Sequence, residues 1–372
     1  MLVAFRVDAS IQIGTGHVMR CVTLADHLVR EGHECFFIMR DHNGNLNDFI
    51  KSKGYKSHLL PTNIAGLNTS IDDSCLAHSS WLGCSWRDDA QQSSLIMEEM
   101  RPDWLVVDHY ALDVHWEEVV RPKGCRLMVI DDIADRSHCC ELLLDQNLGR
   151  SESDYTDLVP LHCICLIGPR FALLRPEFAE LREFSMARRA PPKLRNVLVS
   201  MGGIDKDDMS GQVLDGLIKC NLPKNCRISV VMGENAPWRA RVRDQAADMP
   251  WITEVLVNVT NMAKIMADTD LAIGAAGSTS WERCCLGLTT LAFSLADNQL
   301  SISQGLHDAK AVIYICHTQT PNWKNNFQDI VDTIVDDPGK LASYSRNAAK
   351  LTNGIGSTLV VEKMAFGESF GN

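Results

Sequence analysis

The chain has 372 residues, 45% hydrophobic and 22% charged, with 47 acids against 36 bases for a formal charge of −11. That composition excludes a disordered chain, and at about 150 residues per domain the length points to two domains. A net negative chain is a poor partner for duplex nucleic acid or an anionic membrane surface, and no run reaches the about 18 apolar residues of a transmembrane helix. The opening MLVAFRVDAS carries Arg6 and Asp8 inside its first apolar run and lacks the build of a signal peptide. A cytoplasmic protein beginning near Met1 is therefore expected.

LVAFRVDA (2–9) predicts a strand, and GHVMRCVTLADHLVREG (16–32) predicts a helix. Val18, Cys21, Val22, Ala25, Leu28 and Val29 recur at three- and four-residue spacing, and Gly32 stands where a helix stops. ECFFIM (34–39), WLVVD (104–108) and RLMVID (126–131) read as further strands, with a helix near 113–121 capped by Asp113. The stretch 61–88 breaks this rhythm with polar residues punctuated by Pro61, Trp81 and Trp86. It reads as an excursion from the first domain, a loop over its active face.

After a helix at 176–186, the basic, proline-bearing ARRAPPKLRN (187–196) is the linker candidate. The pattern then restarts. Strands are expected at 196–203, 227–233, 251–256, 270–277 and 289–294, and helices at 208–220, 236–247, 260–268, 278–287 and 298–310. A helix-like tail at 339–368 could pack on either half. Strands alternating with helices imply parallel, doubly wound sheets. The expected organisation is α/β: a Rossmann-like domain over 1–186, a linker at 187–195, and a second Rossmann-like domain over 196–372, facing each other across a cleft. Ligands then bind in the turns at the carboxyl ends of the strands.

Fourteen cysteines invite a disulfide or metal reading, but the sequence contains no CxxC and no HExxH. Free core cysteines fit better, with no metal and no cofactor expected.

The first strand runs into DASIQIGTGHVMR. Gly14 and Gly16 permit a tight turn, and the helix start suits phosphate oxygens. The same field, with Arg20 on the same helix face, favours a neutral His17, a plausible base for a water. The alternative is a capping turn with an incidental histidine. VVDHYALD sets Asp108, His109 and Tyr110 after a strand, and IDDIADR sets Asp131, Asp132 and Arg136 likewise. Such carboxylates can orient an imidazole, bond a sugar hydroxyl or cap a helix. In the second half, SMGGID and IGAAGSTSWE are small-residue turns. Gly274 and Gly277 let amides reach a diphosphate, Ser278 and Thr279 open a helix, and Glu282 could accept two ribose hydroxyls. Helix capping explains the same residues. Asn298 and Gln299 in SLADNQ can bond a sugar or phosphate, or cap.

RVDASIQIGTGHVMRCVTLA, VVDHYALD, IDDIADR, LLLDQNLG, GPRFALLRPEF, SMGGID and GAAGSTSWE…ADNQ occur in one order. Together they resemble the UDP-sugar hydrolases of pseudaminic acid biosynthesis, from residue 2 to about residue 310. The resemblance implies a glycosyltransferase-B-like fold and a small-molecule UDP-sugar substrate carrying a 2,4-diacetamido-2,4,6-trideoxy-β-L-altropyranose. It implies no metal. It implies His17 as the base, Tyr110 and Asn298 around the substrate, Glu282 on the uridine ribose and the 274–279 turn on the diphosphate. Either Asp108 or Asp8 would orient His17. A glycosyltransferase of the same fold and a non-catalytic sugar-nucleotide binder are the rivals. Oligomeric state is left open, a monomer included.

Overall fold

The computed structural model describes residues 1–62, 76–296, 299–318, 320 and 322–366. They form two units, Met1–Leu173 with the chain from Gly356 onward, and Leu174–Ile355.

The first unit contains β1 (Leu2–Val7), α1 (Gly16–Arg30), β2 (Glu34–Arg40), α2 (Asn47–Ser52), β3 (Lys56–Leu60), α3 (Trp86–Met100), β4 (Trp104–Asp108), α4 (Val114–Val120), β5 (Arg126–Ile130), β6 (Leu142–Asp145) and β7 (Ile164–Ile167). All seven strands are parallel, in the order β3-β2-β1-β4-β5-β6-β7. The order reverses between β1 and β4, and the carboxyl ends of that pair are where an open parallel sheet offers its crevice. Helices cover both faces of the sheet, so β4 is buried throughout. On α1, Val18, Cys21, Val22, Leu24, Ala25 and Leu28 face the core. Val29, expected there, is 46% exposed, and Leu24 is buried in its place.

The stretch read as an excursion ends where helix α3 begins. Residues 63–75 lie outside those described. A 3-10 turn at Ser79–Leu82 follows, and helix α3 begins at Trp86, capped by Ser85, whose hydroxyl accepts from the Asp88 amide. The inward face of α3 carries Asp89 and Ser93 beside Ala90 and Met97, so no apolar stripe marks it in the sequence. Asp89 is buried because it receives Arg6, Arg40 and the Trp116 indole N–H. Arg40 also donates to the Pro61 carbonyl, so one buried guanidinium ties the start of the excursion to α3.

The second unit contains α5 (Pro176–Arg188), β8 (Asn196–Ser200), α6 (Met209–Leu217), β9 (Arg227–Met232), α7 (Arg239–Ala247), β10 (Ile252–Val257), α8 (Met262–Asp268), β11 (Leu271–Ala275), α9 (Thr279–Cys285), β12 (Thr290–Ser294), α10 (Leu300–Asp308), β13 (Ile313–His317), α11 (Trp323–Asp336) and α12 (Pro338–Ala349). Its six parallel strands run β10-β9-β8-β11-β12-β13, with the reversal between β8 and β11.

Helix α5 and the 187–195 segment belong to this second unit. Arg182 donates to the carbonyls of Ala349 and Thr352, Ser185 to that of Leu286, and Arg189 to that of Thr269. The crossing between units falls at Leu173–Leu174, and a second one at Ile355–Gly356. The tail divides accordingly. Thr289 donates to the Leu341 carbonyl of α12 within the second unit. α13 (Gly356–Phe366) buries Val360, Val361 and Met364 in the core that holds Leu24 and Leu28 of α1.

Candidate active site

In the first unit, β1 ends at Val7 and the chain turns through Ser10–Gly14 into α1. Ser10 closes the turn: its carbonyl accepts from the Gly14 amide at 2.8 Å, and its hydroxyl accepts from Ile13 at 2.9 Å. Gly14 has φ +82°, a left-handed conformation that favours glycine. Thr15 stands at the N-cap of α1 without a side-chain cap, so the helix start is open. Gly16 is the first helical residue and His17 the second.

His17 meets Asp108, the last residue of β4, across the reversal of the sheet: Nδ1 lies 2.7 Å from Oδ1. Asp108 answers which carboxylate orients the ring. Asp8 is occupied elsewhere, by Arg6 at 2.7 Å and the Arg40 amide at 2.6 Å, with His109 Nε2 3.3 Å away. Burial alone would raise the Asp108 carboxyl, but Arg20 and His17 hold it well below the usual carboxylate range. An ionised carboxylate can only accept, so Nδ1 carries the proton. Arg20 Nη2, 3.2 Å from Nδ1, is then a close neighbour and not a donor to it. In the neutral ring this leaves the lone pair on Nε2.

Arg20 forks onto Asp108 through Nε and Nη2, each at 2.6 Å, and reaches Asp132 through Nη1 at 2.6 Å. Its charge is thus spent on two carboxylates before it reaches the imidazole. Asp132 also accepts the Tyr110 hydroxyl at 2.6 Å. Burial first, then the Asp132 charge, pushes that phenol well above its ordinary range. Tyr110 therefore offers its ring to the site: it stands edge-on to His17 with centroids 4.8 Å apart. Asp108 is an orienting group behind His17, with both oxygens engaged and no exposed side-chain surface. The two adjacent acids separate in role. Asp131 serves the fold, accepting from Arg136, the Ala134 amide and Tyr155, while Asp132 stands in the His17 network. His109, buried, accepts from the Ala111 amide at Nδ1 and is structural. Asp113 caps α4 as expected.

In the second unit, Gly274 lies within β11, not in the turn. A Cβ there would come 2.7 Å from the Ser200 carbonyl and 2.6 Å from Arg283 Nη1, so close strand packing accounts for this glycine. The turn proper is Ala276–Ser278. Among the described residues, no acceptor meets the amides of Gly277, Ser278 and Thr279. Neither Ser278 nor Thr279 supplies a side-chain cap to α9. Consecutive unpaired amides of this kind favour an anion. Gln299 accepts from the Leu295 amide through Oε1 at 2.9 Å, and its Nε2 would stand 3.8 Å from a Cβ at Gly277. Asn298 lies outside the described residues.

Glu282, one turn into α9, is 17% exposed, with Arg175 Nη2 3.7 Å away. Burial pushes its carboxyl up to about 7, against the opposing pull of Arg175 and Arg283. Arg283 is buried beneath the turn, donating to the Ala275 carbonyl at 2.6 Å and the Ser280 hydroxyl at 3.0 Å. In SMGGID, Asp205 accepts from the amides of Met209 and Ser210 and so starts α6. Among the described residues, no group of His, Cys, Asp and Glu side chains could hold a metal ion, and no helix is long and apolar enough to cross a membrane.

Sequence reasoning overlooked Trp81, His78, Arg175 and Arg283 as neighbours of these groups. For Trp81 a signal existed: it is a tryptophan in an otherwise polar stretch read as lying over the active face.

Two parallel-sheet Rossmann-like halves in series define a glycosyltransferase-B-like protein. Acinetobacter baumannii MurG superposes over 97% of this chain and 98% of its own, with TM-score 0.69 at 15% identity. Neisseria meningitidis UDP-GlcNAc 2-epimerase bound to UDP-GlcNAc superposes over 98% and 99%, with TM-score 0.59 at 12% identity. In sequence the chain is similar to the UDP-2,4-diacetamido-2,4,6-trideoxy-beta-L-altropyranose hydrolase of Campylobacter jejuni, at 27% identity over 307 residues, 82% of this chain and 96% of that one. No family model matches.

Proposed function

We propose that the protein hydrolyses a UDP-sugar of the 2,4-diacetamido-2,4,6-trideoxyaltropyranose type, releasing UDP. The observation that carries this reading is the Asp108–His17 pair at the head of α1, which leaves Nε2 as the basic atom. The similarity to the Campylobacter jejuni hydrolase supplies the substrate class.

In this mechanism the second unit binds UDP. The amides of the 277–279 turn take the diphosphate, Glu282 the ribose hydroxyls, and Asn298 and Gln299 bond the sugar or a phosphate. The turn with Gly14 and Gly16 lets the sugar-bearing end approach His17, and Tyr110 bounds the sugar. His17 Nε2 removes a proton from a water as the water oxygen bonds the anomeric carbon. The bond from that carbon to the phosphate oxygen breaks, and its electron pair leaves with UDP. Asp108 stabilises the imidazolium, as a carboxylate behind a catalytic histidine does. Amides on the diphosphate spread the leaving charge, so no separate acid is required. Attack opposite the leaving group inverts the centre.

Incubation with the UDP-sugar and no acceptor tests the reading. Release of UDP together with the free sugar, identified by proton NMR, supports hydrolysis. UDP release only after a second sugar or lipid acceptor is added would favour a transferase on the same fold, and no turnover under either condition would leave a binder.

A further inference from the structure

The described end of the excursion brings a second aromatic group to His17. The Trp81 indole lies nearly parallel to the Tyr110 ring, with centroids 5.6 Å apart and planes at 27°, and edge-on to His17 at 6.3 Å. His78 sits beside both, 4.5 Å from Trp81 and 5.3 Å from Tyr110. This placement is anchored. Leu82 is 2% exposed and joins the core that includes Ile38, Ala90 and Leu112. Gly83 has φ +73°, and a Cβ there would come 2.7 Å from His42 Cε1, so the chain lies tight against the residues after β2. Ser85 then caps α3. Leu82, Gly83 and Ser85 all anchor the segment, while the neighbouring indole is half-buried and edge-on to His17.

The chemistry of this wall is selective. Its surface is the half-buried Trp81 indole with the His78 imidazole beside it, backed by the Tyr110 ring, which is only 5% exposed and has its hydroxyl committed to Asp132. Such a surface rewards apolar ligand groups and gives little to hydroxyls. It therefore favours a hexose with a methyl at C6 and acetamido methyls at C2 and C4 over a fully hydroxylated one. We propose that Trp81, with His78 beside it and the buried Tyr110 ring behind it, forms the sugar-facing wall of the His17 site and sets a preference for 6-deoxy, N-acetylated sugars. This rests on the hydrolase reading for the identity of the sugar.

The test compares Trp81→Ala, Trp81→Leu and Trp81→Phe with wild type. The first readout is kcat/KM for UDP-2,4-diacetamido-2,4,6-trideoxyaltrose against UDP-N-acetylglucosamine. The second is the affinity gained by intact UDP-sugar over UDP, measured by calorimetry in a His17→Asn background where turnover is suppressed. Trp81→Ala should shrink the kcat/KM ratio by about 10- to 100-fold, the scale of discrimination by an apolar pocket. It should remove the affinity gain while leaving UDP binding unchanged. Phenylalanine should restore most of both, and leucine, which keeps bulk without a ring face, should restore less. Should Trp81→Ala fail to fold, the leucine and phenylalanine variants carry the same comparison. A ratio and affinity gain unchanged in these variants, or an equal loss for both sugars, would overturn the wall. Wild type that hydrolyses neither sugar, while its affinity gain still depends on Trp81, would overturn the hydrolase reading and keep the wall.

Discussion

The two strand-end turns at the sheet reversals use opposite chemistry. After β1 the turn leads to a charged lattice of His17, Arg20, Asp108 and Asp132, with a buried cluster of Arg6, Arg40, Asp8 and Asp89 elsewhere in the same unit. After β11 the turn offers small residues and bare amides, with one buried arginine beneath and one carboxyl lifted to about 7. The first arrangement fixes a tautomer and directs a lone pair. The second favours an anion without opposing it with carboxylates at the turn itself. Proton transfer needs rigid orientation, whereas holding a diphosphate needs close backbone approach, and each turn has the residues for one of these tasks.

Removing the lone pair is the sharpest way to break the contrast. His17→Asn should lower UDP release by about two to four orders of magnitude, the range for a general base. UDP affinity, measured by calorimetry, should stay near wild type. Equal turnover would remove His17 from the chemistry. The buried lattice comes next. Asp89→Ala leaves Arg40 without a carboxylate partner and Arg6 with Asp8 alone, and should cost about 3–5 kcal/mol in denaturant unfolding, because a buried charge loses its partner. An unchanged midpoint would show that the guanidinium groups find other acceptors.

In the second turn, Gly274→Ala forces a Cβ against the Ser200 carbonyl and Arg283. About 1–3 kcal/mol of lost stability is expected, as for overpacking, and thermal melting of the variant reads it. The smallest effect concerns Glu282. Glu282→Gln should weaken UDP binding on the order of tenfold at pH 8, the scale of one charge-assisted hydrogen bond. In wild type the carboxylate forms as pH rises through about 7, so UDP should bind more tightly at pH 8 than at pH 6, with Arg175, Arg283 and Glu177 as the charges that set this position. The glutamine variant should lose that pH dependence. Stability of the free protein runs the other way. A carboxyl raised from 4.5 to about 7 penalises the charged folded state, so this group's contribution falls as pH rises across that window. A pH-independent affinity in wild type would take Glu282 off the ribose.

Much of this was legible from patterns with a local cause. The spacing on α1, the Asp113 cap and the strands around β1, β4, β5, β8 and β11 follow from side-chain periodicity and turn chemistry. Both sheets are of the doubly wound parallel type expected. What the sequence concealed was decided by distant partners. α3 hides because Asp89 and Ser93 occupy its inner face. β6 and β7 hide because each is only four residues long. At the candidate site, the glycine turn and His17 could be read from neighbouring residues. The choice of Asp108 over Asp8, and the engagement of Asp132 by Arg20, depend on which strands pair and so on the whole sheet. Gly274 and Gly277 read alike in the sequence, yet the structure separates them: a Cβ at Gly274 would meet the Ser200 carbonyl within the sheet, and Gly277, three residues on, lies in the open turn.

Because α13 completes the core of the first unit, that unit is built from two separate stretches of polypeptide. A clean genetic dissection therefore needs two cuts. A fragment ending at Leu173 would bare the surface of α1 that Val360, Val361 and Met364 cover, and would tend to aggregate. A chimera that exchanges only the segment 174–355 would keep the first unit's own terminal helix, and with it that unit's complete core.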